Sequence, residues 1–371
     1  MNTKKIAINL ISIICLLFIS YSCSDSSNTI GDLVYEGDIV IDTDEKYEAF
    51  TKKGYTEVNG SLTLKNLSIT FMNDMHNLKK VHKSLIIESN QQLVSLEGLG
   101  NLTHIGRDLL LGNNKALYDI NALKKTQELG SLIIHDSPSI KSLQVFSHIT
   151  SLKLGINIGG NDNLESLQGL HNIETCGTLI ISSNNSLYDV SVFKKLTHID
   201  GFLSIKHNKN ITSLEGFDNL VSIKRHLRIH SNRYLRDLSH LSKLTTIGEH
   251  LIITYNDALP NLEGLNSLKA VPGTLQLMKN NSLKSIKGLN SIETIGHDLE
   301  ITNNDYLESL EGFKNLKSIN RSILIRYNSY LRNFCSLQPA LNSNSLKGTY
   351  TVEFNNYNPT EQHIKDGSCE L

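Results

Sequence analysis

The chain repeats itself at a fixed period, and this limits what it can fold into more than any other feature. An Asn followed three residues later by Leu or Ile occurs at Asn90, Asn114, Asn161, Asn184, Asn208, Asn232, Asn256, Asn280, Asn304 and Asn328. Ser137 holds the one missing place, so successive markers lie 24 or 23 residues apart. A period in the twenties is the signature of a solenoid, in which each repeat buries its apolar face only by stacking on the next. The unit is clearest from Glu308 to Leu331, ESLEGFKNLKSINRSILIRYNSYL.

Five and three residues before each Asn stand two large aliphatics, as in Leu85/Ile87, Leu109/Leu111, Leu203/Ile205 and Leu299/Ile301. That alternation predicts a short strand with one buried face. Further apolar points follow the Asn at intervals of three, such as Leu307, Leu310, Phe313, Leu316 and Ile319. These segments are too short for a helix of several turns. Each unit therefore reads as one coil of two or three short strands joined by tight turns.

The strand start recurs at Leu62, Leu85, Leu109, Leu132, Ile156, Leu179, Leu203, Leu227, Leu251, Leu275, Leu299 and Ile323. The expected fold is an all-β, right-handed parallel β-solenoid of about twelve coils, a stack of roughly 50 Å at the usual strand spacing. The Asn has a structural task in it. A turn inside a stacked coil leaves backbone groups without partners, and a buried carboxamide can bond to them and to the next Asn.

The termini break the pattern. MNTKK followed by the apolar run Ile6 to Ile19 and SYSC ending at Cys23 resembles a secretory leader with a bacterial lipobox, which would make residues 1–22 a signal peptide and Cys23 a lipidated N-terminus. The run is short for a membrane span. An ordinary signal peptide or an uncleaved anchor fits the same residues. Residues 23–36 form a polar tether, and residues 37–60 an N-terminal cap.

In that cap Asp38 to Ile41 reads as a strand and Thr43 to Lys53 as a helix, with Asp42 or Thr43 capping its start and Gly54 ending it. Tyr47 and Phe50 face one side and can cover the first coil of the solenoid proper, residues 61–331. Leu67 stands there in place of the Asn. Residues 332–371 are the C-terminal cap, with a strand-like run from Tyr350 to Phe354 and an expected Cys335–Cys369 disulfide, which an exported protein permits. Cys176 replaces the Ile seen at Ile247 and Ile295 and reads as a buried core thiol.

The sequence "SLEGL…NL…IG..L.I..N..L", the opening "GDIVIDTDEKYEAF" and the ending "YNPTEQHIKDGSCEL" resemble the receptor L-domain proteins, and in style the leucine-rich lipoproteins of Bacteroidetes. The resemblance runs from about residue 37 to the end. It implies a binding or structural role at an envelope and leaves the ligand open. The chain has more coils than a receptor lobe and lacks the Cys-rich modules that flank one, so receptor activity is not carried over.

Chemistry is sparsely written. HExxH, CxxC, GxSxG and GxxxxGK do not occur, so no catalytic residue, metal ligand or cofactor is assigned. A net charge of −1 lacks the basic excess of a nucleic-acid binder. Glu215 and Glu263, two coils apart, fall near the separation of an inverting glycosidase pair. Glu263, Lys287 and Glu311 alternate in sign, however, and read better as a cross-strand ionic ladder.

The residue between the two buried aliphatics of each strand points outward. There Ile86, Leu110 and Ile133, with Ile180 beyond them, would make an exposed apolar stripe. Lys206, His207, Arg228 and His230 form a basic group on two adjacent coils that can meet an anionic glycan or lipopolysaccharide. A parallel sheet favours β-branched residues in any case, and a charged group can be a solvated face. The expectation is a non-catalytic envelope lipoprotein of the outer membrane, on its cell-surface or periplasmic side. It would bind a protein or glycan through its sheet face, with a polysaccharide-active enzyme or a passive envelope scaffold as the alternatives.

Overall fold

The computed structural model describes residues 32–371. The chain divides into Met1–Asp32 and Leu33–Leu371, and the second unit holds all the structure that follows. The leader and Cys23 lie outside the described residues.

Each coil has one main strand of four residues, such as Leu227–His230, Leu251–Thr254 and Leu275–Met278, that pairs in parallel with the same segment of the next coil. In eight of the twelve coils the main strand begins at the first residue of the aliphatic pair, from Leu62–Lys65 to Ile323–Arg326. Ile39–Ile41 precedes them against Leu62–Leu64, and Tyr350–Glu353 follows them against Ile323–Arg326. Both caps therefore extend the sheet as well as covering the core. The pairing never slips between equivalent positions: Leu227, Leu251, Leu275 and Leu299 lie directly opposite one another, and all are fully buried. One slip would turn every aliphatic to solvent, so the core itself fixes the register.

A second, two-residue strand per coil, such as Ser222–Ile223 or Thr246–Ile247, forms a narrow parallel ribbon beside the main one. In four coils the two merge into one long strand: His104–Gly112, Glu128–His135, Ser151–Gly159 and Thr175–Ser182. The second and fourth of these belong to the 23-residue coils. Leu129 and Leu132 are three residues apart where Ile105 and Leu109 are four apart. The missing residue is at the corner, and the register shifts beside it between Ile105 and Asp108 and between Cys176 and Thr178.

The third side of the coil is not a strand. Apolar residues three apart signal a 3₁₀ turn, in which i and i+3 eclipse. Glu97–Leu99, Ser239–Leu241, Lys287–Leu289 and Glu311–Phe313 are such turns, with Leu310, Phe313 and Leu316 fully buried around the last of them. The sequence expectation of a cross-strand ladder at Glu263, Lys287 and Glu311 is corrected here. These residues sit on stacked turns, and only Lys287 and Glu311 form an ion pair, at 3.0 Å. The stacking is close. A Cβ at Gly264, whose φ is +107°, would collide with the carbonyl oxygen of Leu238 in the coil before.

The Asn ladder is continuous. All ten Asn are fully buried, as is Ser137. Each main-chain N–H donates to the side-chain oxygen one coil on: Asn208 to Asn232 at 3.2 Å, Asn232 to Asn256 at 3.1 Å, Asn256 to Asn280 at 3.1 Å. Each Nδ2 donates back to a strand carbonyl of the previous coil, as Asn232 does to Ile205 at 2.9 Å. Ser137 keeps the forward bonds, accepting from Asn114 and donating to Asn161, but has no amide for the backward one. At the N-terminal end the ladder stops at Leu67, whose N–H still donates to Asn90.

The helix Asp44–Lys53 starts at Thr43, whose hydroxyl accepts from the Lys46 N–H, and ends at Gly54 in the left-handed conformation. Tyr47 and Phe50 are buried against the first coil. At the other end Cys335 and Cys369 are bonded across 34 residues. The short helices Gln338–Asn342 and Glu361–Lys365 close the core, with Leu341 and Ile364 buried. Cys176 is a buried free thiol, its pKa pushed up to about 12 by burial and by nearby Asp200.

Candidate functional site

The outer face of the main sheet is built one residue per coil. Successive occupants, paired in register, are Thr63, Ile86, Leu110, Ile133, Asn157, Ile180, Ser204, Arg228, Ile252, Gln276, Glu300 and Leu324. Ile86, Leu110, Ile133 and Ile180 do line up, with Asn157 interrupting the row before Ile180. They are half-buried, which corrects the expectation of a fully exposed stripe. Coils about 4.8 Å apart bring each side chain against the one above and the one below, so each covers part of its neighbours.

Two residues further along the strand lies a second outward row, in which Lys206 pairs with His230 and His230 with Thr254. His230 is half-buried, and its Nδ1 is 2.7 Å from the Thr254 hydroxyl. Burial, and then the charges of His207, Arg228 and Lys206, hold its imidazole below the ordinary histidine pKa. Arg228 and His207 are exposed. The structure thus brings Lys206, His207, Arg228 and His230 together on two adjacent coils.

A third row is not evident from the sequence. The residue before each rung of the ladder has a positive φ, between +50° and +68°, among them Ser89, Asn113, Asp136, Ser183, His207, Tyr255, Lys279, Asn303 and Tyr327. Asn, Asp and Gly tolerate this conformation, whereas bulky side chains rarely adopt it. The early coils conform, with Asn66, Ser89, Asn113, Asp136, Gly160 and Ser183. The later coils carry His207, Tyr255, Lys279, Tyr327 and Phe354, with Ser231 and Asn303 between them. These make ring contacts along the stack: His207 to His230 at 4.9 Å, His230 to Tyr255 at 5.2 Å, the Lys279 ammonium over Tyr255 at 5.2 Å, and Tyr327 stacked on Phe354 at 4.9 Å.

Residues 175–231 match the Receptor L domain family. That stretch includes Ile180, Lys206, Arg228 and His230 and spans little more than two coils. In solved structures the chain is similar to an internalin, InlF, of Listeria monocytogenes, at 17% identity and a TM-score of 0.46 over 85% of this chain and 89% of that one. It is also similar to the functional domain of InlJ from the same organism, at 16% identity and a TM-score of 0.31 over 78% and 72%. No curated protein matches the sequence.

The carboxylates weighed for catalysis have other partners or other surroundings. Glu215 lies 3.0 Å from Lys194, and Glu263 stands in an exposed turn that its N–H closes on the Asn261 side chain. A surface groove of about 500 Å³ runs past Glu174, Lys195, Asn219 and Lys243. Its cations are engaged, Lys195 with Asn172 at 2.8 Å and Lys243 with Asn219 at 2.6 Å. No helix among the described residues is long and apolar enough to cross a membrane.

Proposed function

We propose that this protein is a non-catalytic recognition or adhesion protein of the bacterial envelope. It is held to the outer membrane through a lipid on Cys23 and binds a protein or glycan with the outer face of its main sheet. The observation that carries the reading is the register of that face. It sets Ile86, Leu110 and Ile133 side by side as a half-buried apolar row, and places Lys206, Arg228 and His230 on later coils of the same sheet. A regular parallel sheet offers a rigid platform that loses little entropy on binding. The match of residues 175–231 to the Receptor L domain family supports a binding role, and the basic leader followed by Cys23 supports export with an anchor.

The test is a double substitution, Ile86→Lys with Ile133→Lys, in the native host. Both side chains are half-buried on the outside of the sheet, so the fold tolerates the change. Loss of the partner recovered with the wild-type protein supports recognition through this face. An unchanged set of partners would mean a passive scaffold.

A further inference from the structure

We infer that the outer edge of the sheet between Lys206 and Lys279 is a binding track for an acidic polysaccharide, one that carries carboxylate or sulfate groups on its sugars. The inference rests on the reading of this protein as a binding protein and names the ligand class for the C-terminal half of its sheet.

Four adjacent coils contribute to the track. Their outward rows carry Ser204, Lys206 and His207, then Arg228, His230 and Ser231, then Ile252, Thr254 and Tyr255, then Gln276, Met278 and Lys279, with Ser204 and Thr254 covered by their neighbours. No carboxylate stands in these rows until Glu300 on the next coil, where Gln276 donates to it at 2.6 Å. None of Lys206, Arg228 and Lys279 forms an ion pair among the described residues, in contrast to Lys194, Arg225, Lys287 and Lys317, each of which has a carboxylate within 3.0 Å. Burial first, and then the charges of His207, Arg228 and Lys206, keep His230 from adding a further positive charge to this group. Uncompensated cations gathered on a rigid face favour an anionic partner.

The rings narrow the class. His207, His230 and Tyr255 form a continuous line of contacts, with Lys279 above the last ring and Tyr255 39% exposed. An aromatic ring beside a cation suits a ligand that alternates an apolar face with a charge, as a pyranose ring bearing a carboxylate does. Arg228 can grip that carboxylate with two parallel hydrogen bonds. The track also advances about 4.8 Å per coil, close to the advance of an extended glycan per sugar. Duplex nucleic acid advances only about 3.4 Å per phosphate of each strand along its axis.

The backbone supplies an independent sign of selection. Tyr255 and Lys279 hold φ values of 60° and 52° at positions where the early coils use Asn, Ser, Asp or Gly and where the neighbouring coil keeps Ser231. Bulky residues kept in an unfavourable conformation point to function more than to stability.

The experiment measures binding of the purified full chain to alginate, polygalacturonate and heparin, with neutral dextran and a single-stranded oligonucleotide alongside. At least one acidic glycan is expected to bind in a salt-sensitive manner and dextran is not. Arg228→Gln with Lys279→Gln is expected to weaken binding at least tenfold. Tyr255→Asn, which suits the left-handed backbone, is expected to weaken it several-fold without changing the salt dependence. Lys124→Gln with Lys141→Gln, on exposed positions of other coils, should leave binding unchanged.

The inference is overturned if none of the three glycans binds, if the control pair weakens binding as much as the track pair, or if the oligonucleotide binds more tightly at the same residues. In each of those cases the wider reading survives as long as Ile86→Lys with Ile133→Lys still removes the native partner.

Discussion

The main-chain N–H of Asn328 donates to the side-chain oxygen of Asn355 at 3.1 Å, across 27 residues, where every earlier rung spans 23 or 24. Asn355 then donates to the Ile325 carbonyl at 2.9 Å, as each ladder Asn does to the coil before it. The ladder thus runs one rung into the C-terminal cap. This last rung differs from those inside the stack, since Asn355 is half-buried and Asn208 is fully buried.

Removing a buried rung strands polar groups in the coil before it. In Asn208→Ala the Asn184 N–H and the Ile181 carbonyl each lose a partner. The expected loss is about 1–3 kcal/mol, read as a lower urea midpoint with an unchanged slope. Asn355→Ala should cost less, because water can reach the groups it leaves behind. Equal losses at the two sites would contradict this ordering.

Tyr255→Asn should separate stability from binding. Asn accepts the +60° φ at this position more readily than Tyr does. The thermal midpoint is therefore expected to hold or rise, while affinity for an acidic glycan falls. A clear drop in the midpoint would show that the ring is there to support the fold.

Glu57 ties the first coils together. Its carboxylate meets Lys80 at 2.8 Å and His82 at 2.9 Å. These two hydrogen bonds, Lys80 first, hold its pKa below the ordinary value of 4.5. The stabilisation is complete above that ordinary value, where the carboxylate is ionised in both folded and unfolded chains. It is lost as pH falls through the lower folded-state value. Urea midpoints of wild type and Glu57→Gln should differ at neutral pH and converge in acid. A gap that persists at the lowest pH would assign the effect to packing.

Much of this architecture can be read in the sequence, for physical reasons. The period follows from coil stacking, the strands from alternation at pairs such as Leu299 and Ile301, and the cap helix from Thr43 and Gly54. The 3₁₀ turns are harder to see because apolar residues three apart, such as Leu310 and Phe313, also fit irregular strands. The Asn355 rung is hidden by a three-residue offset in the cap. The line from His207 through His230 to Tyr255 and Lys279 is hidden for another reason: its members are 23 to 25 residues apart and meet only when the coils stack. Bulky residues next to several ladder Asn in the later coils, though not at Ser231 and Asn303, against small ones in the early coils, are the signal that could have revealed it.

The anchor is open to a simple test in the native host. Cys23→Ser should abolish incorporation of labelled palmitate and move the protein from the membrane fraction to the soluble one. A variant that stays membrane-bound and unlabelled would favour an uncleaved anchor. Protease digestion of wild-type protein on intact cells would place the solenoid outside, and protection until lysis would place it in the periplasm.

The most direct measurement for the central claim, recognition through the outer sheet face, is site-specific photo-crosslinking in living cells. A photoreactive residue at Ile133 would be compared with one at Lys124, which is exposed on a turn of the preceding coil. The account predicts a discrete adduct from position 133 that disappears when Ile86 is changed to Lys, and none from position 124. Equal labelling from the two positions, or an adduct from position 124 alone, would contradict it.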